Sequence, residues 1–199
     1  MPIIVAIEGN VGAGKSTLLR CLARMGFVVY EENIDTWRSL LELFYDNPNR
    51  WSFTLQAAIL ADLVTQHEAA MSQKKTVVFF ERSPCSSMIF AKLARRSKYM
   101  SEVEFSTYMR LYEKLAWTAD VTIHVDTPPE TCMERIKKRA RPGEEKVDMN
   151  YLEAIDACHR TNLAPEAVTV DGCRDPSDIA SKVMLIAGKT GTGSKATYL

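Results

Sequence analysis

Short apolar runs rich in β-branched residues recur at Ile3 to Ile7, Phe27 to Tyr30, Thr76 to Phe80, Val121 to Val125 and Val168 to Val170, with helical periodicity between them. Continuous apolar strands alternating with helices are buried on both faces. They predict a five-stranded parallel sheet flanked by helices through right-handed crossovers, an α/β doubly wound domain. From about Asn49 to Gln73, Trp51, Leu55, Ile59 and Leu63 repeat at i, i+4 and predict a long helix. A second stripe, Phe105, Tyr108, Leu111, Tyr112 and Leu115, predicts a helix over Glu104 to Trp117 that buries its face in the core or against a partner subunit.

With 199 residues, 46% of them apolar, the chain can bury one core without covalent staples, and residues 1–187 read as a single domain. The glycine-rich segment 188–199 lacks an apolar face and is expected to be a flexible tail. Its Gly188-Lys189-Thr190 is no phosphate loop, because Val183 stands where the first glycine belongs. Lys plus Arg and Asp plus Glu are 25 each, which argues against a nucleic-acid or membrane partner held by bulk charge. No apolar run approaches the ~20 residues of a membrane span, and the first strand begins at once, so a cytoplasmic location is expected. The five cysteines are scattered without ligand spacing and read as reduced thiols; His67, His124 and His159 read as structural.

The sharpest local signal is Gly9-Asn10-Val11-Gly12-Ala13-Gly14-Lys15-Ser16, which fits G-x-x-x-x-G-K-[ST] between a strand and a helical stretch, Thr17 to Met25. Such a loop turns backbone N–H groups onto phosphate oxygens, with Lys15 reaching the β- and γ-phosphates of ATP and Ser16 ligating Mg²⁺. A switch GTPase would show N-K-x-D after a later strand. Asp126-Thr127-Pro128-Pro129 follows Val121 to Val125 instead.

Two further clusters, Glu31-Glu32 and Glu81-Arg82-Ser83, follow the second and third strands, where an open parallel sheet places its ligand crevice. A carboxylate there can take a hydroxyl proton, an arginine can neutralise a moving phosphoryl group, and Glu81 can bind Mg²⁺ through water. The run Glu134 to Arg141 is strongly basic and breaks at Pro142-Gly143, as expected of a cationic lid over a triphosphate.

Together these motifs resemble the deoxyribonucleoside kinase family of P-loop kinases, from Ile4 to about His159. The likeness rests on Ile7 to Thr17, on Glu32 with Trp37, on Leu40 to Tyr45 and Pro48 to Gln56, and on Glu81-Arg82-Ser83. It continues through Pro129 to Arg141 and Tyr151-Leu152-Glu153. The resemblance implies ATP-dependent phosphorylation of a deoxynucleoside 5′-hydroxyl in nucleotide salvage, with Glu32 as base, Arg82 holding Glu32 and the 5′-oxygen, and Lys15 on the donor. It implies that Arg135, Arg139 and Arg141 meet the donor phosphates. Tyr45 and a lid glutamate would hold the 3′-hydroxyl, Gln56 the base edge, and Trp37, Ile59, Leu63, Ser87 and Phe90 the base pocket. The lid glutamate is Glu144 or Glu145, with Glu145 favoured because it directly precedes Lys146-Val147. Specialists for purines and deoxycytidine place an arginine and an aspartate at positions matching Leu63 and roughly Ser87. Both are absent here, so the pocket resembles that of the thymidine-accepting members, with space toward a 5-methyl group; the resemblance implies a pyrimidine deoxynucleoside, thymidine or deoxycytidine, and a homodimer.

Two rivals stand beside this reading. A thymidylate or other nucleoside monophosphate kinase shares loop, sheet and lid but needs extra cations at the acceptor. A catalytically silent nucleotide-binding module would not need Glu32 as a base.

Overall fold

The computed structural model describes residues 1–73 and 76–190, with side chains as far as Gly188. Five strands, β1 (Ile3–Glu8), β2 (Val28–Tyr30), β3 (Val77–Glu81), β4 (Val121–Asp126) and β5 (Val168–Asp171), pair in the order β2-β3-β1-β4-β5, every pair parallel. Each strand forms where a β-branched or aromatic run was expected.

The sheet is a two-sided core because alternate residues point to opposite faces. On one face Val5, Ile7, Phe79, Ile123 and Val125 pack against Leu18, Leu19 and Leu22 of α1 (Lys15–Arg24) and Ile179 and Val183 of α8 (Pro176–Thr190). On the other, Ile4, Val78 and Phe80 pack against Ala70 of α3 (Pro48–Met71). Helix α8 ends three residues beyond the expected domain limit at 187. Its apolar stripe runs through Ile186 and Ala187, and one more helical turn follows. The rest of the expected tail, 191–199, lies outside the described residues.

The remaining helices are α2 (Ile34–Asp46), α4 (Pro84–Arg96), α5 (Glu102–Leu115), α6 (Pro129–Arg139) and α7 (Met149–Asn162). Helix α5 opens on a capping box, Ser101 with Glu104. Only part of its stripe enters the core. Phe105 and Tyr108 join Leu60, Ala91, Ala94 and Met100 in a core with α3 and α4, while Leu111 and Leu115 stay on the surface.

Chain order makes β1 the point from which connections run to both sides of the sheet, so the loops after β1, β3 and β4 border one crevice. Two close approaches close it down. A Cβ on Gly12, at φ +80°, would stand 2.6 Å from the Cys132 carbonyl oxygen at the start of α6, and one on Gly172 would stand 2.0 Å from Thr127 Oγ1. The loop after β1 is therefore wedged between α6 and the turn after β5.

Candidate active site

The loop Gly9 to Gly14 joins β1 to α1, with Gly9, Gly12 and Gly14 all at positive φ. Lys15 folds back over it, its Nζ donating to Asn10 O at 2.9 Å and lying 3.9 Å from Glu81 Oε1. Burial, then the neighbouring Arg82, lowers the Lys15 ammonium to about 8 against the pull of Glu81 and Glu32. Ser16 Oγ donates to Glu81 Oε1 at 3.0 Å. Glu81 is buried, and burial followed by the charge of Glu32 raises its pKa, so the pair of carboxylates favours a cation between loop and sheet.

Arg82 is the best-connected side chain. Its Nε donates to Glu32 Oε1 at 2.7 Å, its Nη1 to Gly9 O at 3.0 Å and Ser86 Oγ at 3.2 Å, and its guanidinium lies 5.0 Å above the Phe90 ring. Arg82 sits at φ +70°, a left-handed backbone that costs a non-glycine residue ~1–3 kcal/mol and turns the side chain back along the strand end. Beneath it, fully buried Glu8 accepts from Ser83 N at 2.9 Å, from Ser83 Oγ at 2.6 Å and from Ser86 Oγ.

The lid descends from α6. Arg139 holds Glu144 through Nη2 at 2.6 Å and Nε at 3.1 Å, and Arg141 Nη1 approaches the same carboxylate at 3.5 Å. Burial, and after it the Glu144 charge, raises the Tyr45 phenol, which therefore keeps its proton and remains a donor. Lys146, just past Glu144, pairs with Asp46 at the end of α2.

Lys15, Ser16, Glu81, Arg82, Tyr45 and the lid residues Arg139, Arg141 and Glu144 face one cavity of about 460 Å³, reaching from Gly12 past Glu32 to Trp37, Gln56, Ile59 and Phe90. A small pocket of about 30 Å³ adjoins it, bounded by Leu63 and Ser87 and sharing Glu32, Trp37 and Phe90 with the main cavity. A phosphate cradle thus opens onto a carboxylate–guanidinium pair and then an aromatic slot. A model of the deoxynucleoside kinase family matches residues 5–182.

The chain belongs to the deoxynucleoside kinase family. Members of this family are phosphotransferases with ATP as donor, and the P-loop fold found here is theirs. An inferred deoxynucleoside kinase of Frog virus 3 is 35% identical over 78% of this chain and 80% of its own length. Deoxycytidine kinase 2 of Gallus gallus is 32% identical over 84% of this chain and 76% of its own. Human mitochondrial thymidine kinase 2 is 33% identical over 78% of this chain and 62% of its own. The solved deoxyadenosine kinase of M. mycoides superposes with a TM-score of 0.82 over 94% of this chain and all of its own, at 23% identity.

Within this kinase fold the residues named from sequence converge, with informative exceptions. Val11 to Thr17, Glu32, Trp37, Tyr45, Gln56, Ile59, Glu81, Arg82, Phe90, Arg135, Arg139 and Arg141 line the main cavity, whereas Gly9 and Asn10 shape the loop from behind. Leu63 and Ser87 reach only the small pocket. Glu145, favoured from sequence, is exposed, whereas the neighbouring Glu144 at the start of the short 3-10 turn Glu144–Lys146 is buried and lines the cavity. Arg135 does not extend as a free cation: its Nη1 donates to Ala13 O and its Nη2 to Gly172 O, both at 3.0 Å.

Glu8 and Thr127 were missed. Thr127 Oγ1 donates to Ala13 O at 3.0 Å, and its position just past β4 matched the rule that found Glu81 and Arg82. The three histidines pack away from the cavity, His67 on Trp117 and His124 against His159.

If ATP is held by the charged form of Lys15, lowered to about 8 in the free protein, binding above that pH takes up a proton. Titration by calorimetry is expected to show a constant ATP Kd near pH 7.5. The Kd then rises towards ~10-fold per unit beyond pH 8, and this dependence disappears in Lys15→Met. A wild-type Kd flat to pH 9.5 would contradict it.

Proposed function

We propose that the chain transfers the γ-phosphoryl group of ATP to the 5′-hydroxyl of a pyrimidine deoxynucleoside, giving the 5′-monophosphate for nucleotide salvage. The observation that carries this reading is the 2.7 Å pair of Glu32 and Arg82 beside the phosphate loop. Glu32 accepts the proton of the 5′-hydroxyl as the 5′-oxygen bonds to the γ-phosphorus and the bond to the β-phosphate oxygen breaks, releasing ADP. Arg82, held at three points, orients the carboxylate and meets the charge that spreads over the moving group.

Ser16 and Glu81 fit a Mg²⁺ ion: a hydroxyl and a buried carboxylate 3.0 Å apart, both hard oxygen donors beside the phosphate loop. Bound there, the ion neutralises phosphate charge. Tyr45 and Glu144 supply a donor and an acceptor to the sugar 3′-hydroxyl, and the Trp37–Phe90 slot takes the base. The exposed Leu111 and Leu115 on α5 support a homodimer through that face.

A nucleoside monophosphate kinase is the weaker reading. Arg82, the cation at the acceptor end, is already committed to Glu32, Gly9 and Ser86, which suits a neutral hydroxyl better than a phosphate.

Glu32→Gln keeps the hydrogen bond to Arg82 and removes the base. It is expected to leave ATP affinity within about twofold while lowering kcat by ~10²-fold or more. Undiminished turnover would remove Glu32 from the chemistry and favour a binding module. For the sugar contact, Glu144→Ala is expected to raise the deoxynucleoside KM by roughly 10-fold, as when a buried charged partner is lost. Glu145→Ala is expected to change it by less than about twofold, and the reverse ranking would restore the assignment to Glu145.

A further inference from the structure

Both lone pairs of one carbonyl in the phosphate loop are taken by side chains from outside it. Ala13 O accepts from Thr127 Oγ1 at 3.0 Å and from Arg135 Nη1 at 3.0 Å. Thr127 is buried just past β4 and does not line the main cavity. Arg135, on α6, continues to Gly172 O through Nη2 at 3.0 Å, so its guanidinium bridges two main-chain carbonyls. Two glycines leave room for these contacts. A Cβ on Gly14 would stand 3.3 Å from Arg135 Nη1, and one on Gly172 would stand 2.0 Å from Thr127 Oγ1 and 3.1 Å from Ala13 O.

The Ala13 carbonyl and the Gly14 N–H belong to one planar peptide unit. The unit is trans, so the two groups point to opposite sides. Holding the oxygen against α6 and the turn after β5 therefore turns the N–H away from them. That N–H has no protein partner among the described residues, and it stands directly before Lys15 in the row of amides that a phosphate loop offers to an anion. The loop itself resists the opposite orientation only weakly. Turning the unit over changes ψ of Ala13 and φ of Gly14, and Gly14, at φ +103°, has no Cβ to oppose it. The turned-over unit would set a carbonyl oxygen, in place of a donor, against phosphate.

We propose that Thr127 and Arg135 are positioning residues that clamp the Ala13–Gly14 peptide with its N–H towards the donor phosphates. Arg135 then serves nucleotide binding through the loop and not by touching phosphate. This rests on the reading above that the loop holds ATP.

Calorimetric titration with ATP and with ADP, each with Mg²⁺, tests the clamp in wild type, Thr127→Val, Thr127→Ser and Arg135→Met. Thr127→Val keeps the shape of the side chain and removes the hydroxyl; it is expected to weaken both nucleotides equally, by roughly 5-fold, the worth of one hydrogen bond. Thr127→Ser keeps the hydroxyl and loses a methyl group, and is expected to bind within about twofold of wild type. The reverse ranking, the mark of packing alone, overturns the proposal. Arg135→Met is expected to weaken ATP and ADP alike by roughly 10-fold, as when a charged donor is lost. A loss confined to ATP would mean direct contact with the γ-phosphate and also overturns it. In amide NMR spectra of the nucleotide-free protein, the Gly14 signal is expected to be single in wild type and doubled or exchange-broadened in Thr127→Val and Arg135→Met. A Gly14 signal that neither variant moves overturns the clamp, as does wild-type affinity for both nucleotides in Thr127→Val. Failure of the wild type to bind ATP would instead remove the reading of the loop, and the proposal with it.

Discussion

A buried guanidinium must be fully paired, and in this kinase that requirement organises the catalytic end of the sheet. Arg82 is 4% exposed, and it meets Glu32 from the segment after β2, Gly9 O from the loop after β1, and Ser86 and Phe90 from α4. Breaking such a buried pair by removing one partner costs about 3–5 kcal/mol, because the remaining charge is left without compensation. Glu8 carries the constraint one layer deeper, fixing Ser83 and Ser86 and so the turn that gives Arg82 its left-handed backbone. Three strand ends are thus held in one geometry by one cation, which fixes Glu32 beside the phosphate loop.

The rest of the site distributes charge around that centre. Lys15 is desolvated to the point of a weakened ammonium, and Glu81 is pushed towards its neutral form, a cost that the proposed phosphate and cation would relieve. In the lid, Arg139 and Arg141 converge on Glu144, which faces Tyr45. The side chains proposed for donor phosphate and acceptor sugar therefore touch one another.

Much of this was legible in the sequence because it depends on local pattern. Buried parallel strands need continuous β-branched runs, so all five strands could be read. The loop Gly9 to Ser16 and the turn Glu81-Arg82-Ser83 announce themselves because a strand end with those residue types has few other uses. What escaped depends on contacts between distant segments or on rotation by a single residue. Glu144 and Glu145 are equivalent in sequence, and only the turn after Gly143 decides which is buried. Arg135 looks like any lid arginine until its guanidinium is found bridging Ala13 and Gly172. The α5 stripe had two possible destinations, and packing against α3 and α4 took Phe105 and Tyr108 while leaving Leu111 and Leu115 outside. Tyr108 reads as core from its period, and the partner of its hydroxyl, Ser87, lies 21 residues away.

Glu32 and Arg82 are proposed as a site for an uncharged hydroxyl beside a bound triphosphate, and the choice of acceptor tests this most directly. Incubating the protein with ATP, Mg²⁺ and either a deoxynucleoside or its 5′-monophosphate, and separating the products by chromatography, is expected to show conversion of the nucleoside to the 5′-monophosphate and no conversion of the monophosphate. Turnover of the monophosphate alone would contradict the assignment of Glu32 as a base for the 5′-hydroxyl.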